Sequence, residues 1–369
     1  MNNEPAELSI IVPVFNERGN VDELLSSLEK NLAGLNWEVI FVDDDSPDDT
    51  AAHVRQHGRR NPRVRCIQRL GRRGLSAACI EGMLASSAPY LAVMDGDLQH
   101  DESLLPQMLA MLKRDNLDIV VGSRYVAGGS AAGLNVDRAV ISRLATRLSR
   151  RFIPEELRDP MSGFFMLRRE VFDDNVRNLS GFGFKILLDI FASAKRELNF
   201  VELPFEFRDR RAGQSKLDNQ VAWDFFMLLA DKLFGRVIPV RFLSFLVVGG
   251  SGVFVHMAVL TVLIKVVALS FFWSQAAATV VAMTSNYALN NIITYRDLQL
   301  RGIDWLRGWL TFSLACSIGA VANIGIADYL FRMDTSWPVA GIAGVLVGAV
   351  WNYVITRAYT WKVGAPARR

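Results

Sequence analysis

The stretch LAVMDGDLQH, residues 91–100, places two aspartates one residue apart directly after a run of apolar residues. The apolar run is typical of a buried strand, and a carboxylate there is costly unless it is paired or holds a cation. Gly96 permits a turn that brings Asp95 and Asp97 to one side. Because Mg²⁺ and Mn²⁺ prefer oxygen ligands, and Gln99 offers a third oxygen, the stretch predicts a divalent-metal site. An acidic loop without a metal is the alternative.

The segments before this stretch alternate between strands and helices. Apolar runs at 8–15 and 37–44 are typical of buried strands, and the pattern of residues 21–32 between them is helical. This alternation predicts an α/β domain with a mostly parallel sheet. Ligands bind at the carboxyl ends of the strands in such sheets, which is where a second acidic pair, Asp43 and Asp44, also falls.

The last third of the chain has a different composition. The 369 residues are 51% hydrophobic with a mean hydropathy of +0.20, but charges are spread throughout residues 1–240 and become sparse afterwards. Apolar runs of about 20 residues are long enough to cross a bilayer as helices. We predict an all-α domain of four transmembrane helices at about 242–264, 272–295, 308–330 and 336–358.

Basic residues are concentrated on one side of these four spans. By the positive-inside rule, both the N-terminal domain and the C-terminus are expected to face the cytoplasm, in an inner or plasma membrane. No signal peptide is visible, and only three cysteines occur, which suits a reducing compartment. The basic residues are Lys232, Arg236 and Arg241 before the first span, Arg296, Arg301 and Arg307 between the second and third, and Arg357, Lys362, Arg368 and Arg369 after the fourth.

The apolar region contains an internal repeat. NYALNNIITYR at 286–296 aligns with NYVITRAYTWK at 352–362. Two copies of a two-helix hairpin are therefore expected, both in the same orientation. The resulting division of the chain is an α/β domain at 1–217, a juxtamembrane amphipathic helix or linker at 218–240, the helical domain at 241–362 and a tail at 363–369.

Seven short motifs follow one another along residues 7–220. They are PVFNE (13–17), VDDDSPDDT (42–50), RRGLSAACIEG (72–82), DGDLQH (95–100), GSRYVAGG (122–129), DPMSGFF (159–165) and RRAGQSK (210–216). In this order they resemble the polyprenyl-phosphate mannosyltransferases, or dolichol-phosphate mannose synthases, of glycosyltransferase family 2. The C-terminal region resembles the GtrA-like membrane family, through its spans and the Asn-Tyr repeat.

The resemblance implies a Rossmann-like GT-A fold, a nucleotide-sugar donor, a divalent metal (Mg²⁺ or Mn²⁺) and a polyprenyl-phosphate acceptor at the membrane. Phe15 and Asp45 stand where the family commonly has Tyr and Asn, so Phe15 keeps an aromatic ring without the hydroxyl and Asp45 adds a negative charge. The implied residues are Asp95, Asp97 and Gln99 for the metal; Pro13, Phe15, Glu17, Asp43, Asp44 and Asp95 for the donor nucleotide, with Arg210 and Lys216 on its diphosphate; Arg124, Arg138 and Ser142 for the acceptor phosphate; and Asp97, Arg124 and Asp159 for catalysis.

The expected reaction is an inverting transfer of a hexose to the lipid phosphate. A phosphate monoester is largely deprotonated at neutral pH, so it needs positioning and charge compensation more than a general base. Asp159 is expected either to orient the acceptor or sugar, or only to cap the turn of its motif. Mannose from GDP-mannose is the expected donor substrate, and UDP-glucose is the alternative.

Two other classes of protein are alternatives to a lipid-linked hexosyltransferase. A lipid-linked sugar flippase, with a regulatory soluble domain, is compatible with the repeated hairpin. A processive polysaccharide synthase is disfavoured because its usual Gln-x-x-Arg-Trp motif is missing. The net charge of +3 gives no reason to expect a nucleic-acid partner, and association of the chain with copies of itself is left open.

Overall fold

The computed structural model describes residues 5–70, 74–129, 154–180, 186–206, 208 and 239–362. The chain divides into two compact units, Met1–Leu233 and Phe234–Arg369, and each is described by itself. Four of the candidate site residues lie outside the described residues, as does nearly all of the predicted juxtamembrane segment 218–240. The four are Arg138, Ser142, Arg210 and Lys216.

The first unit is built on a seven-stranded sheet in its described part, and this confirms the predicted α/β class. Strand β6 runs antiparallel to its neighbours β4 and β5, while the other pairs are parallel. The strands are β1 (Leu8–Val14), β2 (Trp37–Asp43), β3 (Val64–Gln68), β4 (Tyr90–Val93), β5 (Ile119–Ser123), β6 (Phe165–Arg168) and β7 (Phe200–Pro204), in the spatial order β3-β2-β1-β4-β6-β5-β7.

Helices connect these strands and cover both faces of the sheet. All seven residues of β1 are buried, as expected for a central strand whose two faces are both covered. One apolar cluster packs around Ile11, and another packs around Ile10 on the opposite face. The helices are α1 (Val21–Asn31), α2 (Thr50–Gly58), α3 (Leu75–Leu84), α4 (Leu105–Arg114), α5 (Arg169–Asn175) and α6 (Ile186–Ser193).

The register of the parallel strands brings three loops to one edge of the sheet. Val14 pairs with Asp43 at the ends of β1 and β2, and Ile11 pairs with Val93 in β4. The loops that follow β1, β2 and β4 therefore emerge side by side. They carry the acidic residues predicted from the sequence.

The second unit consists of helices in its described part. Three segments are long and apolar enough to span a membrane, namely Val240–Lys265, Gly302–Arg332 and Val339–Thr360. The predicted second span forms a 19-residue helix but is not among these three, because polar residues such as Gln275 and Asn286 lower its hydropathy. The helices are α7 (Val240–Lys265), α8 (Phe271–Leu289), α9 (Gly302–Arg332) and α10 (Trp337–Ile355).

The two hairpins of this unit make matching contacts. Helices α8 and α10 both end in a π-helical turn, at Asn290–Thr294 and Thr356–Thr360. The last threonine of each turn hydrogen-bonds the preceding helix of its own hairpin, Thr294 to Ser244 over 2.8 Å and Thr360 to Thr311 over 3.0 Å. The repeat in the sequence is thus a repeat in the packing.

Aromatic rings join one hairpin to the other in the same symmetrical way. The ring of Phe245 lies 5.7 Å from that of Tyr353, and the ring of Phe312 lies 5.5 Å from that of Tyr287. At the ends of the two copies, Tyr295 stacks on Trp361 with centroids 4.0 Å apart and planes within 7°. Each hairpin contributes the same positions of the repeat to the shared aromatic cluster.

Candidate active site

The acidic loop after β4 is held in shape by a buried histidine. The Nδ1 atom of His100 accepts a hydrogen bond of 3.1 Å from the backbone amide of Asp95, and its ring stacks on Phe164 with centroids 5.1 Å apart. Burial lowers the pKa of His100 to about 4, so the imidazole is neutral at physiological pH. His100 is almost completely buried, so it supports the acidic loop from within the protein.

Two backbone features allow this loop to turn. A Cβ atom on Gly96 would lie 2.8 Å from Cγ1 of Val14, so only glycine lets the loop pass this close to the end of β1. Leu98 has a φ of 65°, in the left-handed region that bulky residues seldom adopt. Asp97 is only 6% exposed, and its Oδ1 accepts from the amide of Gln99 over 3.3 Å.

Two other segments approach the acidic loop. Gly163 is so near that a Cβ there would lie 3.0 Å from Oδ2 of Asp95. The side-chain amide of Gln99 donates to the carbonyl of Arg208 over 2.9 Å, and the amide of Arg208 donates back to the carbonyl of Gln99 over 3.1 Å. The nitrogen of the Gln99 side chain is therefore directed at Arg208, and its oxygen is the atom suited to a metal.

Arg124 and Asp159 form a bidentate ion pair. Nε and Nη2 of Arg124 donate to the two carboxylate oxygens over 2.8 and 2.9 Å, and the backbone amide of Arg124 adds a third bond of 3.2 Å. Asp159 is fully buried, and its own amide donates to Glu202 over 2.9 Å. Burial lowers the pKa of Arg124, but the hydrogen bonds and charge of Asp159, with the charge of Asp95, outweigh burial and raise it.

The two aspartates after β2 are both engaged within the protein. The carboxylate of Asp43 accepts from the hydroxyl and from the amide of Ser46. Asp44 accepts from Nη1 of Arg69 over 2.6 Å and from the amide of Gly74 over 2.7 Å. Burial raises the pKa of Asp44, although the positive charge of Arg69 opposes this. These contacts shape the loop that the sequence assigned to nucleoside binding.

The loop after β1 is bonded to the loop after β2 at three places. Backbone amides donate to side chains across the gap: Asn16 to Ser46 over 3.0 Å, Glu17 to Thr50 over 3.2 Å and Arg18 to Asp48 over 3.2 Å. In addition, the Glu17 carboxylate accepts from the side chain of Asn20 over 2.6 Å. The two loops therefore form one continuous structure around the ends of β1 and β2.

The oxygen atoms at the end of β4 suit a hard divalent cation. Two carboxylates and one amide oxygen, from Asp95, Asp97 and Gln99, are the ligand types that Mg²⁺ and Mn²⁺ prefer. The backbone of Gly163 leaves room beside Asp95 that a larger residue would fill. The described part of the site thus brings the predicted acidic residues to one sheet edge, and its donor set fits such a metal.

Sequence reasoning missed several residues that organise the site. Arg69 directly follows β3 and is 3% exposed, and Glu202 in β7 holds the turn of Asp159. The position of Arg69 after a strand was an available signal, since the carboxyl ends of neighbouring parallel strands meet at one edge. For Glu202 the sequence offered no such signal.

Family comparisons agree with this architecture. Residues 9–176 match the family model described as glycosyl transferase family 2, and residues 244–361 match the GtrA/DPMS transmembrane domain. The first unit is therefore a glycosyltransferase domain with a GT-A-like sheet, and the second makes the chain an integral membrane protein.

Comparison with curated relatives identifies the kind of glycosyltransferase to which the chain is similar. The chain is 33% identical over 357 residues to a dolichol-phosphate mannosyltransferase of Pyrococcus furiosus, covering 96% of this chain and 99% of that protein. It is also 33% identical to the dolichol-phosphate mannosyltransferase of Saccharomyces cerevisiae, over 61% of this chain and 86% of that one. The chain belongs to the dolichol-phosphate mannosyltransferase family.

Among solved structures, part of the chain is similar to glucosyl-3-phosphoglycerate synthase from Mycobacterium tuberculosis. The TM-score is 0.46 at 18% identity, over 62% of this chain and 79% of that one.

Proposed function

We propose that this enzyme transfers mannose from GDP-mannose to a polyprenyl phosphate, such as a dolichyl or undecaprenyl phosphate, at the cytoplasmic face of the membrane. The observation that carries the proposal is the 33% identity to a dolichol-phosphate mannosyltransferase over 96% of the chain. The acidic residues at the sheet edge and the apolar helices of the second unit support it, because the reaction needs a nucleotide-sugar site next to a lipid.

Asp95, Asp97 and Gln99 would hold a Mg²⁺ or Mn²⁺ ion in this function. Such an ion neutralises negative charge on a diphosphate leaving group. The positions of Asp95 and Asp97 are set by the protein itself. His100 and Gly96 fix the turn that carries the two carboxylates. Asp97 is buried at the end of the strand, and its Oδ1 accepts from the amide of Gln99, which helps to hold the carboxylate in place.

The donor nucleoside is assigned to the joined loops after β1 and β2, with Pro13, Phe15 and Glu17 in the first and the two aspartates in the second. Asp43 and Asp44 already have protein partners in Ser46 and Arg69. In this proposal they position the loop, and the half-buried ring of Phe15 offers an apolar surface to the base. Arg210 and Lys216 are proposed to approach the donor diphosphate.

The acceptor phosphate is assigned to Arg124, together with Arg138 and Ser142. Because Asp159 binds Nε and Nη2 in a bidentate pair, the guanidinium plane of Arg124 is fixed before any substrate arrives. Asp159 then acts on the acceptor through Arg124. A fixed cation lowers the cost of bringing an anionic phosphate to the donor.

The proposed reaction is a single displacement with inversion. An oxygen of the acceptor phosphate forms a bond to the anomeric carbon while the bond from that carbon to the donor diphosphate breaks, and the electron pair leaves with GDP. The acceptor is a phosphate monoester whose second pKa is about 6, so it reaches the site largely deprotonated. No protein base is required, and the protein supplies positioning and charge compensation.

The test is transfer of labelled sugar to polyprenyl phosphate by purified protein, comparing GDP-mannose with UDP-glucose in the presence and absence of Mg²⁺ or Mn²⁺. Product from GDP-mannose that requires metal and is lost in Asp97→Asn is expected. Asp115→Asn, at an exposed acid paired with Arg114, is the control and keeps full activity. Product from UDP-glucose alone would show that the donor is UDP-glucose and not GDP-mannose. No product from either nucleotide sugar would refute the proposal.

A further inference from the structure

Two of the four histidines in the chain lie on one face of α2 and have no part in the proposed reaction. His53 and His57 are four residues apart, a spacing that places side chains one above the other on a helix. Their ring centroids are 5.0 Å apart. Asp22, in the first turn of α1, faces them from the neighbouring helix.

The three side chains converge on one point. Oδ1 of Asp22 lies 2.9 Å from Nε2 of His53 and 2.6 Å from Nε2 of His57, and the three potential ligand atoms are all within 4.8 Å of one another. A tetrahedral ion with bonds of about 2.0–2.2 Å needs ligand atoms about 3.3 Å apart. Both observed distances from Asp22 are shorter than this, so the carboxylate must move away from the two rings to admit an ion.

We infer that Asp22, His53 and His57 form a binding site for a divalent transition-metal ion such as Zn²⁺, distinct from the acidic site at the end of β4. Two imidazoles and one carboxylate favour Zn²⁺, Cu²⁺, Ni²⁺ or Co²⁺, whereas Mg²⁺ prefers oxygen ligands alone. The side chain of Asp22 is 66% exposed, so an ion reaches the site from solvent and water completes its coordination.

The site joins two helices that begin at the two joined loops. Helix α1 starts after the loop of β1, and α2 starts at Thr50, which accepts a bond from Glu17 in that loop. An ion held by Asp22 from α1 and by the histidines from α2 links these helices directly. It therefore stabilises the folded unit by the free energy of binding, whether or not the transferase reaction takes place.

The same contacts have a competing explanation, which the test must separate. A carboxylate that accepts from two neutral imidazoles is a stable hydrogen-bonded group without any metal. Both hydrogen bonds lower the pKa of Asp22, although its slight burial opposes them. Metal binding needs each ring to carry its proton on Nδ1 so that Nε2 is available. Direct observation of metal–nitrogen bonds distinguishes the two.

The experiment uses the full-length chain with any polyhistidine tag removed, in detergent, with Mg²⁺ in excess to fill oxygen-ligand sites. Zn²⁺ binding is measured by calorimetry, and bound Cu²⁺ is examined by electron paramagnetic resonance for coupling to two nitrogens. The variants are His53→Gln, His57→Gln, the double variant, and His256→Gln as a control that removes a histidine hydrogen-bonded to Gln275 elsewhere.

We expect the wild type and His256→Gln to bind one Zn²⁺ and to show two-nitrogen coupling with Cu²⁺. Each single variant at 53 or 57 weakens Zn²⁺ binding about tenfold or more, and the double variant abolishes it while retaining transferase activity. Zn²⁺ raises the unfolding temperature most where both histidines are present, less in the single variants and not at all in the double variant. Equal Zn²⁺ binding by the double variant, or no saturable Zn²⁺ binding by the wild type, would overturn the inference.

Discussion

Arg124 and Asp159, which are 35 residues apart in the sequence, are joined by three hydrogen bonds, two between their side chains and one from the backbone amide of Arg124. The carboxylate is fully buried and the arginine side chain is 15% exposed. A buried ion pair of this kind is costly to break by removing one partner, since the other charge is left without compensation. The relationship therefore affects both folding and the placement of a cation in the candidate site.

Replacing Asp159 with Asn is expected to lower both stability and transferase activity. One carboxylate oxygen becomes an amide that cannot accept from Arg124, and removal of one member of a buried pair costs about 3–5 kcal/mol. The measurements are the thermal unfolding midpoint and the rate of sugar transfer. A double-mutant cycle with Arg124→Met isolates the pair, and independent, additive effects would show that the two residues do not act together.

A methyl group at position 163 is expected to disturb the acidic site with little change in stability. The Cβ of Gly163→Ala would lie 3.0 Å from Oδ2 of Asp95, so the carboxylate must shift by tenths of an ångström. Since a misplacement of about 1 Å costs about 100-fold in rate, a roughly tenfold loss is expected. Metal affinity and transfer rate are measured together with the unfolding midpoint. Gly19→Ala, which meets no atom within 4 Å, is the control and keeps wild-type values.

Asp118 is expected to stabilise the first unit only above acidic pH. Burial raises its pKa, but hydrogen bonds from Arg196 and from the amide of Asn199 outweigh burial and hold the pKa below 3.8. A carboxylate with a depressed pKa contributes stability above its unfolded value, and loses it as the pH falls through 3.8 towards the folded value.

The check is the difference in unfolding midpoint between wild type and Asp118→Asn from about pH 6 to about pH 3. The difference is expected to be full at pH 6 and to shrink as the pH falls. Asp173→Asn, at an exposed residue 3.8 Å from Arg169, is the control with little effect at any pH. A difference that stays constant with pH would show that the charge of Asp118 is not the cause.

Alanine at either of two equivalent glycines is expected to destabilise the helical unit. A Cβ on Gly252 collides with the side-chain amide of Asn286, and a Cβ on Gly319 collides with that of Asn352. Overpacking of this kind costs about 1–3 kcal/mol. The unfolding midpoint in detergent measures the effect, and Gly249→Ala, which meets no atom within 4 Å, serves as the control.

A second substitution tests the cause of this destabilisation. Asn286→Ala removes the group that collides with residue 252, and the Asn286 Oδ1 atom has no hydrogen-bond partner among the described residues. Gly252→Ala combined with Asn286→Ala should therefore recover most of the lost stability. A double variant no more stable than Gly252→Ala would assign the loss to another cause.

Local patterns in the sequence were sufficient to predict most of the parallel sheet and its acidic edge. Long buried strands such as β1 and β2 carry continuous apolar runs, and the residues that follow them must emerge at one edge. Strand β6, a segment of four residues, was not predicted from the sequence. Its place between β4 and β5, antiparallel to both, depends on contacts distant in the sequence.

The partners of the site residues could not be predicted in the same way. The pairing of Asp44 with Arg69 depends on the register between β2 and β3, and that of Arg124 with Asp159 depends on a turn far along the chain. The second apolar segment was predicted as a span from its lack of charge. Hydropathy also counts uncharged polar groups, which is why α8 is less apolar than the other three helices.

The two hairpins of the helical unit contact each other through equivalent pairs of aromatic residues. Phe245 of the first hairpin contacts Tyr353 of the second, and Phe312 of the second contacts Tyr287 of the first. An isologous interface between identical subunits has the same reciprocity, because the same surface patch of each subunit contacts that patch on the other. Within this chain that interface closes between two halves of one polypeptide, so the helical unit has the internal symmetry of a closed dimer and needs no third hairpin to complete its aromatic core.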